Sequence, residues 1–160
     1  MTTPSTRARG AVALASFGYV GFFPFAPGTV GSAAAFAVFL PVRWTGSLVL
    51  ELLLVAVVTL SGVWAATATE RALGLEDPGP VVIDEVAGML VSLLFLPATW
   101  PVMLAAFIAF RVFDIVKPWP ANRLERLHGG VGIMADDVAA GVYANLTVQI
   151  LIRVFPGLLA

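Results

Sequence analysis

Residues 110–137 read FRVFDIVKPWPANRLERLHGGVGIMADD and carry Arg111, Asp114, Lys117, Arg123, Glu125, Arg126, His128, Asp136 and Asp137. They sit in a 160-residue chain that is 59% hydrophobic and only 12% charged. Ionisable groups are costly at membrane depth, so charges kept beside long apolar runs mark a site whose partners must be found. Arg111, Asp114 and Lys117 recur at helical spacing on one face. A carboxylate between two cations is either a self-satisfied ladder of ion pairs or a cradle for a phosphate or a metal–phosphate pair. Upstream, the stretch VVIDEVAG adds the adjacent carboxylates Asp84 and Glu85. Asp84, Glu85, Asp114, Asp136 and Asp137 are hard oxygen donors. With no Cys and a single His in the chain, they favour Mg²⁺ over zinc. Arg111 and Lys117 are suited to neutralising phosphate oxygens, Arg by bidentate geometry. The pattern predicts metal-assisted phosphoryl chemistry on a membrane-borne substrate.

The elements that must position these residues are helices. Mean hydropathy is +0.95, and an ordinary soluble domain carries roughly 25% charged residues, about twice the fraction found here. An integral membrane protein of one domain is expected, with residues 1–10 as a polar tail whose Arg7 and Arg9 can sit at headgroups and 11–160 as a single membrane-embedded unit. A formal net charge of −1 argues against nucleic acid as a partner. The absence of Cys excludes disulfides, thiolate zinc sites and cysteine nucleophiles. The N-terminal apolar run ends in aromatic and Pro residues instead of a small-residue cleavage site, which argues against a signal peptide.

Six helical segments are expected, at 11–23, 29–40, 47–69, 86–96, 102–116 and 138–155. Of these, 47–69 is the best span, about 35 Å of helix against a hydrocarbon core of about 30 Å, and 11–23 is too short to cross. Pro24 and Pro27 break the chain. Beyond them Thr29 fits an N-cap, and the turn with Gly28, Gly31 and Ser32 is either an anion site or an ordinary Pro/Gly turn. Residues 41–46 are expected to connect two helices, with Arg43 and Trp44 interfacial and Glu51 snorkelling to the interface. Asp84 reads as an N-cap or first-turn residue, while Asp136 and Asp137 open the last helix. On that helix Gly141, Asn145, Gln149 and Arg153 form a polar stripe facing the interior. Counting antiparallel helices puts the turns at 24–28, 70–85 and 117–137 at one end. The expected fold is an all-α membrane bundle of about six helices, some half-inserted, with one polar active end.

Four stretches then match a known pattern: FFPFAPGTVGS at 22–32, IDEVAG at 83–88, FRVFDIVKPWP at 110–120 and HGGVGIMADDVAAG at 128–141. Over roughly 16–145 the chain resembles the phosphatidylglycerophosphatase A family. The resemblance implies Mg²⁺-dependent hydrolysis of phosphatidylglycerophosphate to phosphatidylglycerol in the bacterial inner membrane, with the active end on the cytoplasmic side and one central helix ringed by others. By motif it assigns Asp84, Glu85, Asp114, Asp136 and Asp137 to metal binding or base catalysis. It assigns Thr29, Ser32, Arg111 and Lys117 to phosphate, and His128 to protonating the leaving alkoxide. The phosphatase motifs D-x-D-x-T and P-S-G-H are absent. The leading route is attack by a metal-activated water, with a covalent aspartyl intermediate as the other. A small Mg²⁺ transporter or structural bundle is the alternative from a different class, although no internal repeat supports it. A CDP-alcohol phosphotransferase would need D-G-x-x-A-R, which is absent.

Overall fold

The structure, a computed structural model, describes residues 6–155 and 157. Seven α-helices and no strand occur among them: α1 Thr6–Ala15, α2 Pro27–Trp44, α3 Leu48–Leu73, α4 Ile83–Leu93, α5 Trp100–Val116, α6 Ala121–Leu124 and α7 Gly130–Val154. A short 3₁₀ turn, Val20–Phe22, lies between α1 and α2. The expected all-helical bundle is what forms, and its boundaries follow from local chemistry. Ser47 caps α3 through its hydroxyl, which accepts from Leu50 N–H, and Gly74 ends that helix at φ 65, a left-handed conformation glycine adopts freely.

Several expected boundaries move. Helix α1 begins at Thr6, so the expected tail is helical from there on, while residues 1–5 and the side chain of Arg7 lie outside the described residues. Pro27 opens α2 as a first-turn proline, where its missing N–H has no helical partner to lose. Thr29 is therefore inside the first turn and does not cap it. Helix α2 runs through Pro41 to Trp44, so 41–46 is not a connection. At the other end of the chain, α7 starts at Gly130 and not at 138. Asp136 and Asp137 consequently sit about two turns into it and not at its mouth.

Helix α4 is the centre. It packs against α2, α3, α5 and α7, and Ile83, Val86, Ala87, Gly88, Met89, Leu90, Ser92 and Leu93 are all buried. A helix apolar on every side must be covered on every side. Its closest neighbour is α7, and glycine sets the distance. A Cβ on Gly88 would meet the Asp137 carbonyl and the Phe110 ring at 2.5 Å, and one on Gly141 would meet the Gly88 carbonyl at 2.3 Å. Small residues at a crossing let helix backbones approach this closely. The crossing has a direct chemical consequence. Asp84 lies one turn before Gly88 and Asp137 one turn before Gly141, so the contact that joins the helices also brings these carboxylates together.

Helix α3 is long and apolar enough to cross a membrane. Along it Leu53, Val57, Leu60 and Trp64 form an exposed stripe, continued on α5 by Leu104, Ile108 and Val112 and on α7 by Leu146 and Ile150. Apolar faces of this extent on a bundle with a fully packed centre are what a lipid phase would cover.

The far ends of α2, α3, α4 and α7 correct another expectation. Glu51 does not snorkel: it is 4% exposed and pairs with Arg43 Nε at 3.0 Å. Arg43 also donates to the Leu93 carbonyl at 3.1 Å and lies over the Phe39 ring. Asn145 donates to the Ser92 and Leu94 carbonyls at 3.1 and 2.6 Å, and is itself held by Gln149. Three successive carbonyls at the end of α4, which have no partner within the helix, thus receive donors from α2 and α7. The polar stripe of α7 faces inward as far as Gln149, whereas Arg153 is exposed.

Candidate active site

At the opposite end, a cavity of about 310 Å³ opens between the starts of α2, α4 and α7 and the end of α5. Its lining includes Gly28, Asp77, Asp84, Glu85, Asp114, Lys117, Glu125, Asp136 and Asp137. The turns expected at one end do converge there. All five carboxylates singled out by type and spacing line the same space.

Asp84, Glu85 and Asp137 are closest, each with a ligand-capable oxygen within 4.8 Å of the others. Asp84 Oδ1, Glu85 Oε2, Asp136 Oδ1 and Asp137 Oδ2 are buried without a hydrogen-bond partner. Buried carboxylate oxygens are ordinarily satisfied, so four in one cavity describe a site short of positive charge. Electrostatics agree. Burial pushes the carboxyls of Asp84 and Asp137 well above the usual range, and the neighbouring carboxylates, Glu85 and Asp137 for the first and Asp114 and Glu85 for the second, push them further. Burial also raises Glu85. A divalent cation bound by oxygen ligands would reverse these costs, so the residues present fit one.

The two cations are held in place rather than free. Arg111 NH1 lies 2.7 Å from Asp114 Oδ2 and 4.0 Å from Glu85 Oε1. It also donates to Ser32 Oγ at 3.2 Å, while that hydroxyl donates to the Gly28 carbonyl at 2.8 Å. Ser32 is fully buried, so it positions Arg111 and does not face the cavity. Lys117 ends α5 in the left-handed conformation, φ 46, and its ammonium lies 2.6 Å from Asp136 and 2.8 Å from Glu125. Burial disfavours the charged lysine, but the hydrogen bonds to Asp136 and Glu125 outweigh it and raise its pKa. Asp136 is pushed up by burial against the opposing pull of Lys117.

Gly28 completes the packing, since a Cβ there would lie 2.0 Å from Glu85 Oε1. The first turn of α2 is therefore pressed directly onto the carboxylates. Four expected residues do not line this cavity: Arg111 and Ser32, which reach it only through Asp114 and Glu85, and Thr29 and His128. Thr29 is half-buried in that turn and does not line it. His128 is exposed and lines an adjoining cavity of about 500 Å³ with Arg71, Arg126 and Glu76, which shares Asp77 and Glu125 with the first. Asp77 and Glu125 line the first cavity as well, with little in the sequence to signal it. Asp77 sits in a Pro/Gly turn where an acidic residue is unremarkable, and Glu125 reads as one charge of a short amphipathic helix.

A helical bundle with apolar outer faces that gathers partner-poor carboxylates and two oriented cations at one end has the makings of a phosphate-handling membrane enzyme. The comparisons place it within that class. Residues 13–152 match the family model of phosphatidylglycerophosphatase A, and the chain belongs to that family. It is 43% identical over 138 residues, 81% of this chain and 86% of the other, to a Bacteroides thetaiotaomicron protein provisionally named phosphatidylinositol-3-phosphatase. It is 40% identical to phosphatidylglycerophosphatase A of Escherichia coli over 76% of this chain and 72% of that one. The Haemophilus influenzae protein of the same name is 38% identical, over 77% of each. No solved structure matches. The chain is accordingly a phosphatase, and the transporter alternative falls away.

Proposed function

We propose that this enzyme hydrolyses the terminal phosphate monoester of phosphatidylglycerophosphate, releasing phosphatidylglycerol and phosphate, with Mg²⁺ as its cofactor, in a bacterial inner membrane with the carboxylate end facing the cytoplasm. The observation that carries the reading is the convergence of Asp84, Glu85 and Asp137, with unpartnered oxygens, beside the oriented cations Arg111 and Lys117. The names of the two phosphatidylglycerophosphatase A relatives supply the substrate.

Asp84, Glu85 and Asp137 would hold the metal, with Asp114 and Asp136 beside them as further ligands or as anchors for the cations. Mg²⁺, when bound, supplies positive charge to phosphate oxygens and lowers the pKa of water. Lys117, in the cavity lining, supplies positive charge to the phosphate, and Arg111, fixed by Ser32 and Asp114 beside the cavity, adds a second positive charge. Water attacks phosphorus as a cavity carboxylate takes its proton. The bond from phosphorus to the glycerol oxygen breaks, and the alkoxide takes a proton. His128, in the adjoining cavity, is the donor we assign to that step.

The Bacteroides relative is named for a different lipid phosphate, and both names share a phosphomonoester on a lipid headgroup. The test is therefore phosphate release by purified protein in mixed micelles from phosphatidylglycerophosphate and, separately, from phosphatidylinositol 3-phosphate, with Mg²⁺ or with EDTA. Release from the first alone, and only with Mg²⁺, supports the proposal. Faster release from the second reassigns the substrate, and release in EDTA removes the metal.

A further inference from the structure

We infer that an apolar rim around the cavity, Phe22, Phe23 and Phe25 on one flank and Ile115, Val116 and Trp119 on the other, receives the acyl chains of the phospholipid substrate. The inference rests on the lipid-phosphatase reading and adds the route by which the lipid meets the site. These six side chains are exposed, Phe25 at 80% and Trp119 at 68%. Exposed apolar residues also run along α3, α5 and α7 and mark the remote end at Trp44, Phe95 and Trp100, whereas these six adjoin segments that line the charged cavity. Both flanks adjoin the cavity-lining residues along the chain. Phe25 stands two residues before Pro27, and Val116 directly before Lys117, and both Pro27 and Lys117 line it.

The exposure is built in. Gly21, within the 3₁₀ turn, is seated so tightly that a Cβ would lie 2.0 Å from the Pro80 carbonyl, and Pro80 leads into the cavity-lining Val81. Ser16 Oγ accepts from Tyr19 N–H, and the Phe22 and Phe23 amides close onto the Tyr19 and Val20 carbonyls. Tyr19 and Ala26 bracket the segment in the left-handed conformation at φ 72 and 46, which costs conformational energy in non-glycine residues. A pinned, strained backbone that holds phenylalanines outward needs an apolar phase to cover them.

The occupant follows from the cavity's charge. Its carboxylates and lysine exclude hydrocarbon, so a lipid with its phosphate there must lead its chains out across the rim. From Ile115 an exposed track continues along α5 through Val112, Ile108 and Leu104. Aromatic residues at such a border are also the ones that favour the headgroup boundary.

Two measurements on the full-length protein test this. In mixed micelles, the ratio of kcat/KM for dioleoyl phosphatidylglycerophosphate to that for chain-free glycerol 3-phosphate is compared between wild type, a Phe25→Ser/Trp119→Ser variant and Trp100→Ser. Trp100 is equally exposed, at the start of α5, the end remote from the cavity. The rim variant should lower the ratio about tenfold, mainly through the KM of the long-chain lipid, and Trp100→Ser should leave it in place. An unchanged ratio, or an equal fall in both variants, overturns the inference. So does a dimer of wild type that the rim variant dissolves while the ratio holds, since the rim would then serve a second copy of the chain.

The second measurement does not depend on turnover. With Trp44→Phe, Trp64→Phe and Trp100→Phe, the remaining Trp119 is exposed to a small mole fraction of chain-brominated phosphatidylglycerophosphate or chain-brominated phosphatidylcholine in bilayers. Stronger quenching by the phosphomonoester lipid supports acyl docking at the rim, and equal quenching overturns it. If wild type hydrolyses neither substrate, the catalytic reading fails, and quenching alone decides the rim.

Discussion

The two ends of this bundle treat buried charge in opposite ways. At the far end one carboxylate, Glu51, meets one guanidinium, Arg43, and Arg43 and Asn145 spend their donors on the last carbonyls of α4. Among the described residues of that pair, Glu51 Oε2 and Arg43 Nε lack a hydrogen-bond partner, one group of each sign. At the near end Asp84, Glu85, Asp114, Asp136 and Asp137 face only Arg111 and Lys117, and four of their oxygens lack any partner. Balanced charge at one end closes off helix α4. Unbalanced charge at the other is a standing demand for a cation, and α4 runs between the two ends. What separates a structural ion pair from a reactive cluster here is the charge left uncompensated rather than burial or proximity.

The comparison breaks most visibly under substitution. Asp137→Asn should lower phosphate release by roughly 100-fold or more, with helical content by circular dichroism unchanged, because it removes one charge from a cluster already in excess. Retained activity would mean that the near end, too, is structural. Glu51→Gln should do the reverse. It strands the Arg43 charge and is expected to cost roughly 2–4 kcal/mol, toward the low end because Arg43 is a fifth exposed. Thermal unfolding should register that loss while the Mg²⁺ concentration giving half-maximal activity stays put, and a shifted Mg²⁺ dependence would couple the two ends.

Proton linkage sharpens the contrast. Folded Asp84 and Asp137 hold their protons to higher pH than the unfolded chain, whose carboxyls ionise at about 4. The folded state thus binds more protons across the interval between the two values, and stability must fall as pH rises through it. Metal-free protein should lose thermal stability with rising pH across that window, and Mg²⁺ should remove the slope. A metal-free slope of the opposite sign would mean that these carboxyls are not the uncompensated ones. The smallest effect is expected at Glu125, which is 41% exposed. Glu125→Gln should change stability by less than about 1 kcal/mol, measurable as a shift of the denaturant midpoint, because Asp136 still holds Lys117.

Much of the near end was legible in the chain. Hard oxygen donors without Cys, cations at helical spacing on α5 and the parity of the helices put Asp84, Glu85, Asp114, Asp136, Asp137, Arg111 and Lys117 together before any coordinates. The far end was misread. Glu51 near a helix start and Arg43 beside Trp44 look interfacial because sequence spacing measures position along a helix and not which neighbour covers it. Their pairing bridges α2 and α3 and reaches α4 at Leu93, a partner 50 residues away from Arg43.

From composition, periodicity and residue type alone the chain determined an all-helical bundle with apolar outer faces and a carboxylate–cation site at one end of it. Those properties depend on each residue's own solvation and on local spacing, which sequence states directly. Only tertiary structure decided which carboxylates meet most closely, through the Gly88–Gly141 crossing of α4 and α7. It alone set Ser32 against Arg111, placed His128 in a neighbouring cavity, and made Glu51 a buried partner. Each of these depends on the approach of segments distant in the chain, where the deciding quantity is the space between backbones.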